Sequence, residues 1–150
     1  MEIIVKRSAV NKKLIGALSV FTFISGMCYA SNINAALTHS TAVVKIGQYK
    51  VGEEGTLWVG FKVDKGFKWN KKFNSKIGLL KEPELIKPPI TVYKNEDFYV
   101  QDNMVLVLLK IVPITSGQER LKIILRFSVC NDVTCYIESV RFDIDINIRG

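Results

Sequence analysis

Two cysteines five positions apart, Cys130 and Cys135, bracket the turn sequence Asn131-Asp132-Val133-Thr134. The third cysteine, Cys28, lies in a stretch with the character of a cleaved leader, so the mature chain is expected to carry this pair alone. Long alternating segments lie on either side. Cys130 therefore ends one strand and Cys135 opens the next, and a four-residue hairpin turn brings their Cα atoms into bridging range. Two chemistries fit such a pair. As a staple it contributes little, because chain entropy gives about 2 kcal/mol for a loop of about six residues against about 3 for fifteen. As a redox pair it has the merit that a short loop can hold strain that eases reduction. The Cx4C spacing is less specific than CxxC and leaves both readings open.

Other chemistries lack their parts. The sole histidine, His39, lies near the expected mature N-terminus and reads as an ordinary surface residue, a poor place for the base of a Ser-His-Asp or Cys-His site. Two cysteines with no CxxC partner and no nearby histidine supply half of a tetrahedral zinc site. No glycine-rich phosphate loop follows a strand. Hydrolase and nucleotide chemistry are set aside, and neither a metal nor a cofactor is expected.

The N-terminus reads as a secretory signal. Lys6, Arg7, Lys12 and Lys13 form a basic region, residues 14–24 are uncharged and mostly apolar, and Cys28-Tyr29-Ala30 offers small residues where a signal peptidase inspects them. The apolar run is shorter than the roughly 20 residues of a membrane span. Residues 1–30 are thus expected to be removed, leaving a periplasmic domain over 31–150 that does not insert into the membrane. Whole-chain charge is +7. Without the leader's four basic residues and Glu2, 17 Lys/Arg stand against 13 Asp/Glu, which argues against a nucleic-acid binder. The one concentration of charge is Lys62, Lys65, Lys68, Lys71, Lys72 and Lys76, either a solvated edge protected from aggregation or a docking surface for an acidic partner.

Period-2 alternation positions the cysteines. Leu57, Val59, Phe61 and Val63 alternate with Thr56, Trp58, Gly60 and Lys62; Leu121 to Val129 and Val140 to Ile148 alternate in the same way. Val105 to Val112 is apolar on both faces except Lys110, as a strand inside a sheet requires. Ala42 to Ile46 is a shorter candidate. Residues 71–90, with Pro83, Pro88 and Pro89, are expected to resist regular pairing. The fold class expected is all-β, a single antiparallel β-sandwich.

Phe127-Ser128-Val129-Cys130-Asn131-Asp132-Val133-Thr134-Cys135-Tyr136 resembles the active-site hairpin of the N-terminal periplasmic domain family of the thiol:disulfide interchange protein DsbD. Glu96-Asp97-Phe98-Tyr99, some thirty residues upstream, resembles that family's cap loop, and Gly66-Phe67-Lys68-Trp69-Asn70 is similar to its early aromatic segment. The resemblance implies an immunoglobulin-like sandwich and dithiol–disulfide exchange. Electrons would come from a thioredoxin-like or membrane thiol-transporter protein and pass to periplasmic oxidoreductase clients. It assigns mixed-disulfide formation to Cys135 and resolution to Cys130. Phe98 and Tyr99 would shield the sulfurs, Glu96 and Asp97 would raise thiol pKa values by repelling the thiolate, and Phe67 and Trp69 would line the site. The family commonly has proline soon after the second cysteine, where this chain has Ile137-Glu138. Full-length members continue into a membrane domain and a thioredoxin domain, so a separate donor protein is expected. The reading from another class is a non-catalytic immunoglobulin-like binding module with a structural disulfide.

Overall fold

The computed structural model describes residues 2–4, 18–24, 27–87 and 92–150, with side chains for 37–87 and 94–150. In these residues the strands are β1 (Glu2–Ile4), β2 (Leu18–Ile24), β3 (Met27–Ala36), β4 (Ser40–Ile46), β5 (Tyr49–Lys50), β6 (Gly55–Val63) and β7 (Lys68–Trp69). They continue as β8 (Lys76–Leu79), β9 (Ile86–Lys87), β10 (Val92–Tyr93), β11 (Phe98–Gln101), β12 (Met104–Pro113), β13 (Gly117–Cys130) and β14 (Cys135–Arg149). A 3₁₀ turn, Asn95–Asp97, precedes β11.

The fold is all-β, in two sheets. The first runs β1-β4-β6-β12-β11, with β9 also on β12; the second runs β10-β8-β13-β14-β3-β2, with β7 also on β13 and β5 parallel to β14. The alternating residues bury one face of each sheet. Leu57, Val59, Phe61 and Val63 of β6 and Leu121, Ile123, Leu125, Phe127 and Val129 of β13 all lie in one core, with Phe61 stacked on Phe127 at 3.6 Å between ring centroids. β12 lies between β6 and β11, the interior place its two apolar faces suggest.

One departure from the sequence reading involves pairing. Within 71–90, β8 pairs with β13 and β9 with β12, so the proline-bearing segment contributes short strands on either side of Pro83. Prolines forbid a long ladder and leave two- to four-residue pairings intact. Residues read as a leader include β1, which pairs with β4, and β2, which pairs with β3. No helix among the described residues is long and apolar enough to cross a membrane.

Candidate functional site

β13 and β14 are paired continuously from Gly117 opposite Ile148 to Cys130 opposite Cys135. The two cysteines form a disulfide with Cα atoms 4.0 Å apart. The next pair outward is hydrogen-bonded, Asn131 N–H donating to Thr134 O at 3.0 Å, so the cysteines occupy a non-hydrogen-bonded position, where opposed side chains approach most closely. Asn131 also fixes the turn with its side chain. Its Oδ1 accepts from the backbone N–H groups of Val133 at 2.9 Å and Thr134 at 2.7 Å. Cys135 is exposed and Cys130 half-buried.

The ladder sets two rows at this end. On the outer face Lys68, Cys130 and Cys135 stand side by side across β7, β13 and β14. On the inner face Trp69, Val129 and Tyr136 form the adjacent row, beneath the disulfide. Phe67 and His39 extend that row, His39 stacking on Phe67 at 4.2 Å and tilting against Tyr136 at 4.2 Å. The left-handed backbone of Gly66 (φ 86°), which side chains rarely adopt, turns the chain from β6 into β7 and delivers Phe67 and Trp69 here.

The acidic and aromatic residues Glu96, Asp97, Phe98 and Tyr99 are distributed differently. Successive strand residues face opposite ways. Phe98 accordingly lies in the core against Trp69, with ring centroids 5.5 Å apart, whereas Tyr99 is 60% exposed on the first sheet's outer face, edge-on to Trp58 at 5.7 Å. Glu96 and Asp97 are exposed on the 3₁₀ turn, where Asp97 Oδ2 accepts from Lys94 N–H at 3.0 Å. Asn95 docks this turn on the 71–75 loop. Its Nδ2 donates to Lys71 O and Phe73 O at 2.8 and 2.7 Å, and its Oδ1 accepts from Ser75 N–H at 2.9 Å. Ser75 Oγ in turn accepts from Trp69 Nε1 at 3.1 Å. The geometry thus joins Cys130, Cys135, Trp69 and Phe67 at one end, reaches Phe98 through Trp69, and sends Tyr99 to another face.

Glu138 is a feature that local sequence reading passed over. It is 2% exposed, on the inner face opposite Phe127. Its Oε1 accepts from Thr38 N–H at 2.9 Å, Thr38 Oγ1–H at 3.0 Å and His39 N–H at 2.7 Å, and its Oε2 accepts from Ser40 Oγ–H. A buried carboxylate needs such a set of donors. It ties the β3–β4 connection to β14 three residues from Cys135 and holds His39 over Phe67. His39 is therefore half-buried in the aromatic layer, not the ordinary surface residue its position near the leader suggested. The signal lay in the period of β14. Counting back by twos from Val140 puts Glu138 on the buried face, a charged residue in need of partners.

Among the described residues no group of three or more His, Cys, Asp or Glu side chains is placed to hold a metal ion. Comparison of the chain with family models, with curated proteins and with solved structures finds no match.

Proposed function

We propose that the chain is a thiol–disulfide exchange module acting through Cys130 and Cys135, an immunoglobulin-like sandwich of the DsbD N-terminal type, working in the periplasm after loss of residues 1–30. The observation that carries this reading is an exposed disulfide at the end of a ladder already closed by hydrogen bonds and by the Asn131 turn. A bond that adds about 2 kcal/mol of chain entropy to a formed hairpin is a weak staple. An exposed sulfur is open to attack.

In the exchange, a donor thiolate attacks Cys135 Sγ, the S–S bond breaks, and its electron pair leaves on Cys130 Sγ, which takes a proton from solvent. The donor's second thiolate then attacks the mixed disulfide and releases Cys135 as a thiolate. The donor dithiol is oxidised and the pair reduced. The reverse sequence, with Cys135 attacking a client disulfide and Cys130 resolving it, passes the electrons on. The expected donor is a thioredoxin-like or membrane thiol-transporter protein, and the clients are periplasmic oxidoreductases.

Cleavage after Ala30 would remove β1, β2 and the first four residues of β3, and would leave Ser31 to Ala36 paired with β14.

Redox titration of the mature chain in dithiothreitol or glutathione buffers tests the reading. A reduction potential below about −300 mV marks a structural disulfide and overturns it. Cys130→Ala is expected to trap covalent partners through Cys135; trapping only in Cys135→Ala reverses the two roles. The non-catalytic binding reading draws on the placement of Phe98 in the core and of Tyr99 against Trp58. It predicts that replacing both cysteines by serine leaves partner binding intact.

A further inference from the structure

We propose that the face carrying the disulfide is a docking surface for an extended acidic segment of a protein partner, held by Lys68, Lys76 and Arg126. The thiol-exchange reading supplies the purpose of docking there; the electrostatic argument stands without it. Lys68 is directly opposite Cys130 on the outer face, and Arg126, on the same face of β13, is directly opposite Lys76. All three are exposed, as are Lys71 and Lys72 on the loop between β7 and β8. From the Cys130 row to the Arg126 row is four residues, about 13 Å, the span of four extended residues of a partner.

Cations without an ion pair occur elsewhere among the described residues too, at Lys87 and Lys122. What distinguishes this face is that five exposed cations gather there around the disulfide, whereas several others are matched with an acid. Lys50, Lys81, Lys110 and Arg120 pair with Glu53, Glu84, Glu54 and Asp145. At the far end of this same face Arg120 holds Asp145 through two bonds, at 2.6 and 2.9 Å. Around the disulfide, Lys68, Lys71, Lys72 and Lys76 make no side-chain hydrogen bond or ion pair among the described residues, and Arg126 lies over the Phe73 ring at 5.6 Å. Like charges directly opposite across a ladder are unfavourable. The Arg126–Lys76 pair therefore gains from any anion laid between them.

The surrounding groups favour a protein as that anion. Ile137, one step from Cys135 on the outer face, is 57% exposed, and Val133 at the turn is 90% exposed, so apolar contacts flank the sulfur opposite the cations. Beside a disulfide, that combination suits a protein segment whose own thiol can exchange with it, a group that a phosphate polymer or a lipid headgroup lacks. Asp132 in the turn and Glu96 and Asp97 on the 3₁₀ turn bound the surface and carry the opposite sign.

The test uses the mature chain and three cysteine peptides, with the cysteine flanked by glutamates, serines or lysines. Exchange with the Cys130–Cys135 disulfide is followed per thiolate, because flanking carboxylates raise a thiol's pKa. In about 10 mM salt the glutamate peptide is expected to react at least about tenfold faster than the lysine peptide, and the gap is expected to close in about 1 M salt. Lys68→Glu/Lys76→Glu/Arg126→Glu is expected to invert the ranking. Equal rates, or a preference for the lysine peptide in the wild-type chain, overturn the proposal, and the salt series reads this even if the triple variant fails to fold. If no peptide exchanges, the redox reading fails, and docking is measured by fluorescence anisotropy with the glutamate peptide carrying serine for cysteine. Salt-sensitive binding then upholds the docking surface and its absence overturns it. Sedimentation with phosphatidylglycerol–phosphatidylcholine vesicles, without any discrimination among the peptides, overturns it in favour of a membrane surface.

Discussion

Glu138→Ala is expected to destabilise the domain by about 3–4 kcal/mol. The wild-type carboxylate accepts four hydrogen bonds. Bonds to a charged group are worth about 1.5–3 kcal/mol each, and a buried donor left without a partner costs about 1–3. The plain sum overshoots, because Thr38 is exposed and its donors can turn to water, and because removing a buried charge relieves its own desolvation. What remains is His39 N–H and the buried Ser40 hydroxyl. For a chain of this size the loss corresponds to a fall in Tm of about 12–16 °C. Glu138→Gln keeps an acceptor for the three bonds at Oε1 and loses the charge, so about 1–2 kcal/mol is expected. The assay is urea and thermal unfolding of the oxidised protein, with a double-mutant cycle pairing Glu138→Ala and Ser40→Ala. A coupling energy of about 1–3 kcal/mol is expected. Glu138→Ala within about 1 kcal/mol of wild type, or a coupling near zero, refutes the account of Glu138 as the anchor of the β3–β4 connection.

Phe98→Ala is expected to cost about 3–4 kcal/mol through lost core packing against Trp69, while Tyr99→Ala, on an exposed face, costs under about 1. Faster reduction of the disulfide by a small thiol in Phe98→Ala, at an unchanged melting temperature, would instead make that ring a lid. Asn131→Ala removes the acceptor of two backbone N–H groups, and is expected to cost about 1 kcal/mol and to make the disulfide easier to reduce by about 20 mV; an unchanged potential in redox titration counts against a turn that preorganises the sulfurs.

The long strands were legible because each carries five or so apolar residues at period two, enough to outweigh local turn signals. β7, β9 and β10 have two residues each, too few for any period, and they exist because β13, β12 and β8 offer them an edge. The split of Phe98 from Tyr99 was in principle readable. Adjacent residues of one strand cannot share a face, so a pair covering one sulfur would require the strand to begin after them. Glu138 was legible only by half. Its inward position follows from the β14 period, but its donors come from residues about a hundred positions away. The charge of the lysine-rich segment was plain in the sequence. Its registration opposite Cys130 and Arg126 was not, since that depends on which edge of β13 the segment takes.

The continuous ladder bears on whether the disulfide can cycle. A pair that is to be reduced and reoxidised must keep its thiols in reach while the bond is open. Here the strands leading to Cys130 and Cys135 are joined by backbone hydrogen bonds along their whole length, and the turn beyond them is closed by Asn131. Breaking the S–S bond removes none of these. The aromatic layer of Trp69, Phe67, His39 and Tyr136 supports the hairpin from below, and Glu138 holds that layer's outer member in place. Reduction therefore leaves a folded hairpin with two opposed thiols, and the effective concentration that re-forms the bond is set by the sheet. In a flexible loop the same two cysteines would drift apart when reduced, and the bond would re-form less readily.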